Sequence, residues 1–135
     1  MRIVLDTNCL VRSIPANSPF HEVWEGVLSG KHILCVTNEI IEEYAEVLSR
    51  LANQRVAQFV VDTILESRFV QFVSPTFRFN LITADPDDNK FVDCAICANA
   101  KYIVSNDHHY DILKAISFPK VDVVALEEFV RLIHK

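Results

Sequence analysis

Glycine is almost missing from this chain. Two glycines and five prolines in 135 residues leave little room for low-complexity loops or flexible linkers. No internal repeat and no shift in composition marks a boundary, so residues 1–135 read as a single domain. Long hydrophobic runs are missing too. No stretch nears the roughly 20 apolar residues of a membrane span. Asp6 interrupts the N-terminal apolar segment, and no small-residue cleavage site follows, which leaves no signal peptide. A cytoplasmic protein with no membrane association is therefore expected. Basic residues are few and scattered: 13 Lys and Arg against 18 Asp and Glu, a net charge of −5. That argues against a surface devoted to nucleic-acid phosphates. It leaves room for a nuclease whose acidic site is neutralised by metal ions.

Zinc-type ligand spacing is also absent. Cys94 and Cys97 form a C-x-x-C, but they fall in a helical pattern. Neither Cys9 nor Cys35 has a Cys or His at knuckle-like spacing. Cytoplasmic thiols stay reduced, and these read as small buried apolar side chains. What is plentiful is apolar residues: half the chain is hydrophobic and a tenth aromatic, enough for a real core and too much for disorder.

Apolar runs and helical stripes alternate along the chain. Residues 2–6, 32–36, 69–73, 102–105 and 121–124 are short apolar runs of strand type. Between them, Val23, Trp24, Val27 and Leu28 form one helical stripe. It is expected to start at Pro19 with Ser18 as cap and to end at Gly30. Ile40, Ile41, Tyr44, Val47, Leu48 and Leu51 form another, with Asn38 as its expected cap. Further helices are expected over 54–65, from Asp87 or Asp88 to about Ala100, around 110–116, and from near Leu126. Residues 7–18 and 74–87 read as loops. Such alternation asks for a three-layer α/β/α sandwich around a parallel sheet of about five strands. Its site should lie beyond the carboxyl ends of the strands.

Carboxylates gather at that edge. Asp6 ends the first strand and Asp107 follows the fourth. Glu43 lies one turn into the helix after the second strand. Asp88 stands at a helix start, with Asp93 a little over one turn further on. Two carboxylates roughly 5 Å apart repel by about 3 kcal/mol at an effective dielectric of about 20, so such a cluster needs cations or protons. An oxygen-only donor set suits Mg2+ or Mn2+. One or two such ions can activate a water and stabilise the leaving oxygen in phosphodiester cleavage. Other polar residues read more plainly. Glu39, Glu42 and Glu46 form a solvated helix face, Asp85 and Asp87 belong to the loop, and His108 and His109 to an exposed turn. Phe69 and Phe72 are expected in the core. Phe77 and Phe79 sit at loop spacing.

Three segments carry a family resemblance: VLDTNCLVR, VTNEIIEEYAEVLSR and DPDDNKFVDCAICANAKYIVSND, in order over residues 1 to about 110. The sequence resembles the PIN domain family, and most of all its stand-alone, VapC-like toxin-component branch. The resemblance implies a metal-dependent endoribonuclease, the toxin of a toxin–antitoxin pair. It implies Asp6, Glu43, Asp88, Asp93 and Asp107 as the acidic site, with Asp6, Asp107 and Asp88 or Asp93 as metal ligands. Asp88 is the first choice for the third acid, because the two lie about 140° apart on an ideal helix and need not face one ion. Thr7, Asn8 and Ser105 would support the acids, Ser105 standing where the family carries threonine. Arg12 is a candidate for substrate contact. The implied partners are RNA, a small antitoxin protein and a second copy of the chain. The alternative is a PIN-like module that binds RNA or protein without cutting. Two other phosphoryl-transfer folds fit worse. A haloacid dehalogenase needs an acid where Asn8 stands, and a response-regulator receiver needs one at the end of the third strand.

Overall fold

A computed structural model describes residues 1–83 and 85–134; Ala84, inside the acidic loop segment, and Lys135 lie outside the described residues. Five strands form one sheet: β1 (Arg2–Leu5), β2 (Ile33–Val36), β3 (Gln71–Phe72), β4 (Tyr102–Val104) and β5 (Val123–Val124). Their order is β3-β2-β1-β4-β5 and every pairing is parallel. Helices α1 (Thr7–Ser13), α2 (His21–Ser29), α3 (Asn38–Leu51), α4 (Gln54–Glu66), α5 (Asn89–Ala98) and α6 (Leu126–Ile133) flank it. The expected α/β architecture is the one observed. From β1 the chain steps outward to β2 and β3, then returns to β4 on the other side of β1. The order thus reverses between β1 and β4, where open parallel sheets hold their ligands.

The inner strands are dry. Ile3, Val4, Leu5, Leu34, Cys35, Val36, Ile103 and Val104 are fully buried, as strands covered on both faces must be. Ile40, Tyr44 and Leu48, spaced one turn apart, put the α3 stripe into the same core. Tyr44 donates its hydroxyl to the Leu5 carbonyl at 2.6 Å, which locks α3 to the end of β1. Among the described residues, no helix is long and apolar enough to cross a membrane.

Several local readings need correction. Residues 7–13 are helical, not loop: the Asp6 carboxylate accepts the Thr7 N–H, and Cys9, Leu10 and Ser13 are buried at helical spacing. The Asp-Thr-Asn turn composition hid a helix start, since turns and N-caps favour the same residues. The α3 cap is Thr37, whose Oγ1 accepts the Ile40 N–H at 3.2 Å, and Asn38 is already inside the helix. Helix α2 starts at His21 rather than Pro19; the Ser18 hydroxyl accepts the Phe20 N–H, just ahead of it. Gly30 does end α2, at φ 81°, where a Cβ would also meet the Phe69 ring at 2.6 Å. Strand β3 has only two residues and Phe72 is exposed. Residues 108–115 form a 3-10 helix. Cys9, Cys35 and Cys94 are buried as expected, but Cys97 is exposed.

Candidate active site

The site begins with β1 and β4 ending side by side. Asp6 N–H donates to the Val104 carbonyl at 3.0 Å, extending the ladder by one residue. Chain direction then changes at both ends. Asp6 uses one oxygen, Oδ1, to cap α1 through Thr7 N–H at 2.8 Å. Its other oxygen, Oδ2, accepts the Ser105 hydroxyl at 2.7 Å. Ser105 Oγ in turn accepts the Asp107 N–H at 3.0 Å. Asp107 Oδ1 caps the following turn through His109 N–H at 2.8 Å. Asp6 and Ser105 are buried and Asp107 is half-buried. Asn106, between Ser105 and Asp107, accepts the Leu126 N–H at 2.8 Å, tying α6 to this edge.

Asp88 completes the cluster. It occupies the N-cap position of α5, but its side chain makes no capping bond. Instead Asp88 Oδ2 lies 3.3 Å from His109 Nδ1. The same nitrogen lies 3.2 Å from Asp107 Oδ1 and 3.9 Å from Asp85 Oδ2. Asp85, Asp88 and His109 each bring one ligand atom within 4.8 Å of the others, a group that could hold a metal ion. Burial, then the charges of Asp6, Asp107 and Asp85, push the Asp88 carboxyl up to about 6, partly opposed by His109. Burial also raises Asp6, against the Ser105 and Thr7 hydrogen bonds that favour its charged form.

Glu43 stands at the rim and is already partnered. It accepts the Thr7 hydroxyl and pairs with Lys90 at 2.7 Å. Asp93 stands apart. Its Oδ1 accepts the Phe79 N–H at 3.1 Å, and it lines a pocket with Thr37, Glu39, Pro75, Arg78 and Lys90. Asn8 is exposed and lines, with Asp6, Cys9, Arg12, Asn106 and Asp107, a cleft of about 480 Å³ beside the acids. Arg12 pairs with Glu127 at 3.5 Å and lies 4.6 Å over the Phe20 ring.

The donor set fits a divalent cation: carboxylate oxygens for a hard ion, with one imidazole nitrogen at the edge. An orphaned group agrees. The Tyr110 hydroxyl is buried with no hydrogen-bond partner among the described residues. Burial, then the charges of Asp6, Asp88, Asp107 and Glu43, raise that phenol far above its ordinary value. A buried hydroxyl with no protein partner has room in its bonding for an ordered water, and its oxygen can accept from one held by an ion. Sequence reasoning overlooked Tyr110, and read His109 as part of an exposed turn and Asp85 as part of a loop. The signal for His109 was its place two residues past Asp107, where a capped turn folds it back onto the acids.

Residues 2–109 match the family model described as PIN domain. No curated protein is similar enough in sequence to match. Among solved structures, the crystal structure of VapBC2 from Rickettsia felis bound to a DNA fragment from their promoter is similar with a TM-score of 0.63. The likeness covers 93% of this chain and 98% of that one at 15% identity, and it speaks to the fold.

Proposed function

The chain belongs to the PIN domain family, and from that premise we propose that it is a Mg2+- or Mn2+-dependent endoribonuclease, the toxin of a toxin–antitoxin pair. One observation carries this reading: the reversal of strand order between β1 and β4 brings Asp6 and Asp107 to one cleft, and Asp88 stands beside it, facing Asp107 across His109 Nδ1. Asp6, Asp88 and Asp107 would hold the ion, with His109 and Asp85 beside them. When bound, such an ion activates water for attack on phosphorus and stabilises the leaving oxygen.

The chain's own groups do the rest. Ser105 and the Thr7 N–H fix both oxygens of Asp6. Glu43, clamped by Thr7 and Lys90, supplies a carboxylate at the rim for a water or a 2′-hydroxyl. Arg12 offers its guanidinium to a phosphate across the cleft. We assign the third corner to Asp88 and give Asp93 a structural part, since its contacts lie with the 74–83 loop. A small antitoxin and a second copy of the chain are the partners we propose, with exposed Leu51, Phe59 and Leu65 on α3 and α4 as apolar surface for them. We place the activity in the cytoplasm.

A second reading, a PIN module that binds RNA or protein without cutting, draws on His109, which already sets an imidazole among the carboxylates. Cleavage of a mixed RNA pool with Mn2+ decides between them. Wild type should cut, while Asp6→Asn, Asp107→Asn and wild type in EDTA should not. Equal outcomes in all four would overturn the nuclease reading.

A further inference from the structure

The loop after β3 leaves the sheet at the same carboxyl edge as Asp6 and Asp107, on the far side of β2. It displays two phenylalanines to solvent, Phe77 at 72% and Phe79 at 37% exposure. Their ring centres lie 6.4 Å apart at 45°, so they do not stack on each other. Arg78, between them, is exposed and reaches Glu39 at 3.1 Å. Exposed aromatics on a slack loop could fold inward, but this loop is fastened. Buried Asp93 accepts the Phe79 N–H. Buried Asn89 holds both backbone groups of Ile82, accepting its N–H at 2.9 Å and donating to its carbonyl at 2.8 Å. Asn80 takes the left-handed conformation at φ 51°, which asparagine tolerates.

A chain of side-chain contacts links this loop to the acids. Asp6 meets Thr7, Thr7 meets Glu43, and Glu43 pairs with Lys90. Lys90 and Arg78 line one pocket with Asp93, and Asp93 carries Phe79. A strand of nucleic acid lying along the edge would pass from the carboxylates over Lys90, paired with Glu43, to the run Phe77-Arg78-Phe79, whose arginine pairs with Glu39 on the surface. An exposed cation set between exposed aromatics suits a single strand, because every base has a stackable face.

We infer that Phe77 and Phe79, on a loop fastened at Phe79 by Asp93 and at Ile82 by Asn89, form a stacking subsite for unpaired bases of the RNA substrate, to one side of the cleavage point. The inference rests on the ribonuclease reading above.

The test uses the full chain and a fluorescein-labelled single-stranded RNA decamer. Anisotropy in EDTA reads binding, and Mn2+-dependent cleavage reads KM and kcat. Phe77→Ala with Phe79→Ala should weaken binding and raise KM on the order of tenfold, with kcat little changed. Phe77→Trp with Phe79→Trp should restore both. The same decamer with abasic sites should bind wild type and the alanine variant alike. If the alanine variant cuts the intact decamer with wild-type KM, the subsite is overturned while the nuclease stands, and the patch serves a protein partner instead. If wild type neither binds nor cuts, the ribonuclease reading falls and this inference with it.

Discussion

Ser105 and Asp6 are 99 residues apart in sequence and 2.7 Å apart in space, with the Ser105 hydroxyl donating to Asp6 Oδ2. The same hydroxyl oxygen receives the Asp107 N–H, so one small side chain sets the spacing of two carboxylates on adjacent strands.

Ser105→Ala should therefore impair the site without unfolding the chain. A hydrogen bond to a charged group is worth about 1.5–3 kcal/mol, and kcat for RNA cleavage at saturating Mn2+ should fall by roughly tenfold or more. Ser105→Thr keeps the hydroxyl and should stay within a few-fold of wild type. Steady-state cleavage of a defined oligonucleotide measures both.

Asp88 gives the pH signature. Its carboxyl sits at about 6 in the fold against 3.8 for the free group. Between those values the folded chain holds a proton that the unfolded chain has lost, so stability falls as pH rises through them. The cost is absent below about pH 4 and complete above about pH 6. Asp88→Asn should raise the melting temperature in EDTA at pH 7.5 by several degrees, consistent with up to about 3 kcal/mol. The gain should vanish near pH 4, and the variant should lose most of the stabilisation that Mn2+ gives wild type. Thermal melts across pH, with and without Mn2+, test all three.

Tyr110 separates the cost of an orphaned hydroxyl from its use. Removing a buried donor that lacks a partner should stabilise the metal-free chain by about 1 kcal/mol. If that hydroxyl meets water around a bound ion, Tyr110→Phe should also weaken Mn2+ affinity several-fold, read by calorimetry. A variant that is more stable and binds Mn2+ unchanged would leave the phenol without a part in the site.

The cysteines give a count. Burial pushes the Cys9 thiol up to about 12 and the Cys35 thiol up to about 11, and raises Cys94 further. Only Cys97 is exposed. A thiol reagent at pH 8 should titrate one group quickly in the native chain and all four in denaturant, and Cys97→Ser should abolish the fast one.

Much of this was legible beforehand for a physical reason. A parallel sheet buries both faces of its inner strands, so β1 and β4 appear as plain apolar runs, and their first polar residues mark the edge. That made Asp6 and Asp107 readable. The Asp88 and Asp93 alternative could be framed, because helix geometry sets their bearings apart. Spacing leaves it open, because the contact that sets Asp93 apart, with the Phe79 N–H, comes from an irregular loop with no periodicity. Helix α1 was hidden because Asp6, Thr7 and Asn8 suit a turn as well as a helix start. His109 was hidden because a 3-10 turn capped by Asp107 carries it back by a route that no repeat pattern encodes.

Helix α5 works as a distributor. Asp88 at its start faces His109, Asn89 holds Ile82, Lys90 reaches Glu43 and Asp93 holds Phe79. Each step along the helix turns about 100°, so near-neighbours in sequence serve separate parts of the molecule. Exchanging any one side chain disturbs one of these connections. Adding or deleting a single residue between Asn89 and Asp93 would rotate everything beyond it, swing Asp93 off Phe79 and misdirect buried Phe91. In this segment the number of residues is under tighter physical constraint than their identity.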